Sequence, residues 1–154
     1  ALLVVSAVNQ YLFTGPVEEL AFRGYLQNKV LSLLDARGSR LRIGVGVAVT
    51  AAGFALLHLP DLLLQGGGAL GGAVGSLALL TASAILFGVV YELTGNLVLV
   101  MLLHGIGNWW PLVVDPGRGA WPNYLVILVV YAAAVWLYRS ARIPGAADAS
   151  PRAA

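Results

Sequence analysis

The chain is most constrained by a series of long stretches that carry no charge at all. Residues 43–59, 69–91, 97–114 and 124–138 contain no Asp, Glu, Lys or Arg. A membrane-spanning helix needs about 20 mostly apolar residues. A helix is the spanning element that satisfies its own backbone hydrogen bonds in lipid. Charged residues make up 10% of the 154 residues, against roughly a quarter in a soluble domain. Turn signals separate the stretches: Pro60-Asp61, the glycine run at 66–68, "ELTGN" at 92–96, Asp115-Pro116-Gly117 and "WPNY" at 121–124. A further, more amphipathic helix is expected over 16–34, opened by Pro16. The sequence therefore predicts an all-α, polytopic transmembrane helix bundle of about five to six helices, an integral, multi-pass membrane protein in contact with lipid.

The run "ALLVVSAVNQYLF" has no basic region before it and no clear cleavage site, so it does not read as a signal peptide. Residues 1–14 are expected to be the end of an upstream apolar helix, 15–140 the core, and 141–154 a disordered tail rich in Pro, Ala and Gly. On this reading the chain is the C-terminal part of a longer protein. The formal charge of +2 is too small and scattered for nucleic-acid binding. The absence of cysteine excludes a disulfide scaffold and a thiolate zinc site. Arg37, Arg40 and Arg42 precede the first uncharged stretch, and Arg139, Arg142 and Arg152 follow the last. Counting spans places both groups on one side, which the positive-inside rule makes cytoplasmic.

Polar side chains at membrane depth are costly and face a bundle interior or a cavity. Both histidines of the chain, His58 and His104, lie on the uncharged stretches. Glu18 and Glu19 fall near the end of the first helix opposite the arginine loop, and His58 ends the next span on the same side. His104 lies midway along the third stretch, with Asn108 one turn nearer that side. Positions up to 90 residues apart thus converge on one half of the membrane. Glu19 and Arg23 are spaced i, i+4 and can pair, while Glu18 is rotated by about 100° and free to face elsewhere. His104 and Asn108, and Phe54 and His58, repeat the i, i+4 spacing.

Each feature also has a plainer explanation. "TGPVEEL" resembles a helix start, with Pro16 in the first turn and acidic residues at the positive dipole end. His58 could be interfacial, and His104 with Asn108 could be interhelical polar glue. Phe54 reads as packing. Glu92 and Asn96 beside a turn read as solvated, and the glycines at 67, 68, 71, 72 and 75 as a loop and a close helix contact. These explanations leave the shared depth of the three polar groups without a cause.

"EELAFR" from Glu18 to Arg23, "FALLH" from Phe54 to His58 and "HGIGN" from His104 to Asn108 resemble, in order, the EExxxR, FxxxH and HxxxN motifs of the CPBP family, also called the type II CAAX prenyl protease or Abi family. The resemblance covers roughly residues 10 to 112. It implies a CAAX-type intramembrane endopeptidase, a hydrolase that cleaves a membrane-associated peptide or protein. By resemblance, Glu18 and His58 activate the attacking water, His104 and Asn108 bind the oxyanion, and Glu19 with Arg23 positions the site, beside Phe54. There is no HExxH, GxSG or GxGD pattern. A metal-free glutamate mechanism is favoured; a zinc alternative would use Glu18, His58 and His104. Other functional alternatives are a non-catalytic immunity or scaffold protein of the same family, and a small transporter with a polar relay. The Ala-, Gly-, Val- and Arg-rich composition points to a prokaryotic cell membrane. There a CAAX tail is not the expected substrate, and the arginine-rich cytoplasmic side lies opposite the polar cluster.

Overall fold

The computed structural model describes residues 2–36, 38–65, 70–108 and 121–141. The glycine run at 66–68, the exit at Asp115-Pro116-Gly117 and the tail beyond Ala141 lie outside them. Among the described residues the structure is all-helical, with six helices: α1 (residues 2–33), α2 (Arg40–Leu57), α3 (Leu59–Gln65), α4 (Leu70–Thr94), α5 (Leu97–Asn108) and α6 (Trp121–Ser140). α2 and residues 71–94 of α4 are long and apolar enough to cross a membrane, and α5 and Val126–Ser140 of α6 are shorter apolar helices. Residues 1–108 form one compact unit built from α1 to α5. α6 belongs to a second unit; it buries Tyr131 and carries Arg139 in its last turn, where a cation suits the negative dipole end.

α1 differs from expectation. Pro16 does not open a helix, because helical backbone runs from Leu2 through Leu33 without a break. Two segments of α1, Asn9–Thr14 and Leu20–Gln27, are wound as π-helix, one on either side of Gly15–Glu19. Proline inside an α-helix removes one hydrogen bond and clashes with the carbonyl four residues back. The wide turn just before Pro16, closed by the Gly15 N–H on the Gln10 carbonyl, re-spaces the backbone there. Glu18 and Glu19 are therefore mid-helix residues, and the dipole and capping explanation for them is removed.

The second π segment, Leu20–Gln27, also straightens a stripe. Gly15, Glu19, Arg23 and Gln27 are all buried, at a spacing of four. In a pure α-helix each fourth residue drifts by about 40° around the axis. A π turn holds about one residue more, so the drift there runs the other way. The α step from Gly15 to Glu19 and the π steps from Glu19 to Gln27 thus drift in opposite directions and keep the stripe on one face.

The connections are local and polar. Gly95, at φ +61°, ends α4 with its N–H on the Tyr91 carbonyl, and Asn96 Oδ1 accepts the Leu99 N–H to start α5. Ser39 Oγ accepts the Arg42 N–H at the start of α2. α2 ends at His58, and α3 begins at once with Pro60 in its first turn. Gly15 and Gly105 mark the close approach of α1 and α5. A Cβ on Gly15 would lie 3.2 Å from the Met101 carbonyl oxygen, and one on Gly105 would lie 2.6 Å from the Tyr11 ring. The expected close contact at 71, 72 and 75 is not found among the described residues, where a Cβ on any of these would meet nothing within 4 Å.

Burial runs opposite to that of a soluble protein. Glu19, Arg23, Gln27 and His104 are buried, whereas Leu41 is 77% exposed, Leu57 72% and Leu64 81%. Large apolar side chains on the outside of a helix bundle mark a surface made for lipid.

Candidate active site

The site is centred on the imidazole of His104, on the buried face of α5. α1 presents two adjacent carboxylates to it. Glu19 Oε1 lies 2.6 Å from His104 Nδ1, and Glu18 Oε2 lies 3.5 Å from His104 Nε2. A carboxylate only accepts, so Nδ1–H donates to Glu19 and the ring orientation is set. The two acids differ in access: the Glu19 side chain is fully buried, while that of Glu18 is 26% exposed. Glu18 is thus the carboxylate that can reach a substrate, and Glu19 is the internal one.

Arg23 closes the inner side. Its Nη1 donates to Glu19 Oε1 at 3.0 Å, and its Nη2 to the Ala84 carbonyl of α4 at 2.8 Å. The guanidinium carbon also lies 5.3 Å from the Phe54 ring centroid and 5.5 Å from that of Phe87, within range of cation–π attraction. Glu19 Oε1 therefore takes both donors, and Glu19 Oε2 has no hydrogen-bond partner among the described residues.

Aromatic rings wall the cluster. Phe87 of α4 stacks on His104, with centroids 4.9 Å apart and 17° between planes. Phe54 of α2 touches Phe22 at 4.9 Å, His58 at 4.6 Å and His104 at 6.3 Å between ring centroids. His58, at the α2–α3 joint, has Nδ1 2.8 Å from the carbonyl of Phe54, one turn back on its own helix. If Nδ1 carries the proton, Nε2 is left as an acceptor. Asn108, one turn beyond His104, donates through Nδ2 to Gln10 Oε1 on α1 at 3.1 Å.

The structure thus brings Glu18, Glu19, Arg23 and His104 into direct polar contact, with Phe54 and His58 joined to them through rings. Asn108 stands at the exposed end of α5 with Gln10.

The family model for type II CAAX prenyl endopeptidase Rce1-like proteins matches residues 1–110. The chain belongs to that family. Its members are integral membrane proteases, and the match takes in α1 to α5 whole. Searches of the curated proteins and of the solved structures returned no match.

Sequence reasoning missed several neighbours in this endopeptidase-family chain. Phe87 gave no signal, because a phenylalanine in an apolar stretch is ordinary. Gln27 was legible as the next i+4 step after Glu19 and Arg23. Glu92 is not simply solvated: it is half-buried and accepts Gln27 Nε2 at 2.9 Å. Asn96 is a helix cap. Glu18, His58 and His104 were the alternative zinc ligands. Among the described residues no group of three His, Cys, Asp or Glu side chains is arranged to hold a metal ion.

Proposed function

We propose that this chain hydrolyses a peptide bond of a membrane-associated protein, with Glu18 as the base for the attacking water. The observation that carries the reading is the unequal treatment of the two carboxylates around His104. Glu19 is sealed in and paired with Arg23, whereas Glu18 is partly open and faces the ring's other nitrogen. General-base catalysis needs an acceptor that reaches water, and oxyanion stabilisation needs donors fixed in advance.

In this reading Glu18, with His58, takes a proton from water as the water oxygen attacks the scissile carbonyl carbon. His104 Nε2–H and the Asn108 amide donate to the oxygen that becomes negative. Collapse breaks the C–N bond, and the proton held by Glu18 passes to the leaving amine. The reading is metal-free: these side chains supply both the base and the oxyanion donors. The family name supports a prenylated CAAX-like tail as the first substrate to try.

The test uses the purified protein in lipid vesicles with a quenched peptide bearing a prenylated CAAX-like C-terminus, and the same peptide without the lipid. Cleavage of the lipidated peptide is expected, unchanged by a strong chelator. His58→Ala is expected to lower kcat about 100-fold. Full activity in His58→Ala would remove His58 from the mechanism, and loss of activity on chelation would overturn the metal-free step.

A further inference from the structure

Gln27 is 1% exposed and lies outside the three motifs. A buried primary amide in an apolar bundle is retained against a desolvation cost that Leu or Met would avoid. Its surroundings give the reason. Gln27 Nε2 donates to the Gly88 carbonyl at 3.2 Å and to Glu92 Oε1 at 2.9 Å. One step back on the same stripe, Arg23 Nη2 donates to the Ala84 carbonyl at 2.8 Å. Donors four residues apart on α1 therefore meet acceptors four residues apart on α4, at 84, 88 and 92. The numbering rises together on both helices, so α1 and α4 run parallel here.

We propose that Gln27 is a positioning residue for the hydrolytic site: it fixes the height and rotation of α1 against α4, and so holds Glu19, paired with Arg23, against the His104 ring. The proposal rests on the hydrolase reading of that site. Both amide hydrogens of Gln27 are used, on two different groups of α4. A slip of α1 by one residue, about 1.5 Å, would break all three hydrogen bonds together. Buried polar groups that fix register between helices are their best-attested use. Gly88 makes room for the amide, since a Cβ there would come within 2.8 Å of Gln27 Oε1. Asn28 adds a rim contact between the same helices, from Nδ2 to the Tyr91 hydroxyl at 3.2 Å.

The proposal predicts a kinetic effect distinct from lost stability. With the full chain in lipid nanodiscs, Gln27→Met is expected to lower kcat by about 10- to 100-fold with KM within about twofold, because the reacting groups are misplaced rather than removed. The chain has only two histidines, so nitrogen-15 histidine NMR can follow the Nδ1 proton of His104 directly. That proton is expected in the wild type and lost to fast exchange in Gln27→Met. Thr50→Val is the control: Thr50 is buried on α2 and among the described residues its hydroxyl bonds to carbonyls of its own helix, so signal and kcat should both persist. Should Gln27→Met not fold, Gly88→Ala and Glu92→Leu disturb the same amide from α4 and are expected to act in the same direction. A wild-type kcat and an intact His104 signal in the folded variants would overturn the proposal, as would a loss of melting temperature alone. A wild-type protein that cleaves no peptide would sink the hydrolase reading instead, and the NMR signal would still decide whether Gln27 positions His104.

Discussion

Glu18→Ala is expected to abolish peptide cleavage while leaving the protein folded. Glu18 meets the cluster at His104 Nε2, at 3.5 Å, and its side chain is 26% exposed, so water can take its place beside that nitrogen when it is removed. General-base catalysis contributes about 10²- to 10⁴-fold, and a loss of that size is expected in kcat. Glu18→Gln keeps the shape and one oxygen acceptor but not the base, and should be equally inactive. The readouts are turnover per mole of monodisperse protein and the thermal midpoint, which should stay within about 2 °C, since 1 kcal/mol moves it by only a few degrees. Wild-type turnover by Glu18→Gln would end the case for Glu18 as base. A biological effect that survives in an inactive Glu18→Gln protein would instead indicate a binding role for the same site.

The second large effect is on stability. Arg23→Met removes one of the two donors to Glu19 and the donor to the Ala84 carbonyl, and leaves a fully buried carboxylate without its arginine. Breaking a buried ion pair from one side costs about 3–5 kcal/mol, which is a large part of the stability of a domain this size. Arg23→Met is expected to lower the thermal midpoint sharply in detergent and to reduce the yield of folded protein. Combining it with Glu19→Leu should restore much of the loss, because an apolar pair of similar volume often replaces a buried ion pair at little cost. Activity should not return, since His104 Nδ1 would then have no carboxylate to orient it. A single Arg23→Met variant that melts like the wild type would show that Arg23 does not tie α1 to α4.

Much of this arrangement was legible in the sequence, because a lipid-facing helix announces itself by composition. The uncharged stretches at 43–59 and 69–91 correspond closely to α2 and α4, and the pairing of Glu19 with Arg23 follows from i, i+4 spacing. The continuity of α1 through Pro16 was not legible. Proline is a strong local signal, while the π winding that accommodates it depends on packing and leaves no pattern in residue type. The glycines were misread for a related reason. Those clustered at 71, 72 and 75 face open space, whereas the isolated Gly15, Gly88 and Gly105 lie where helices touch, and only the fold shows which. His104 was expected at the level of the glutamates, but its contact with both carboxylates depends on the rotation of α5 against α1. Rotation of apolar helices is the quantity composition determines least.

The buried stripe on α1 has a consequence for biosynthesis. Glu19, Arg23 and Gln27 take their partners from His104 on α5 and from Ala84, Gly88 and Glu92 on α4, all made later in the chain. Until those helices emerge, α1 holds these groups against lipid, at about 2.5–3.5 kcal/mol for each charge at mid-depth, less whatever the Glu19–Arg23 pair recovers. α1 is therefore expected to be a poor membrane helix by itself and to gain its place from the helices that follow it. Nascent chains truncated after Gly38 should leave α1 incompletely inserted, whereas chains extending past Asn108 should hold it securely. Stable insertion of α1 from the shorter chains would show that it needs no help from α4 and α5.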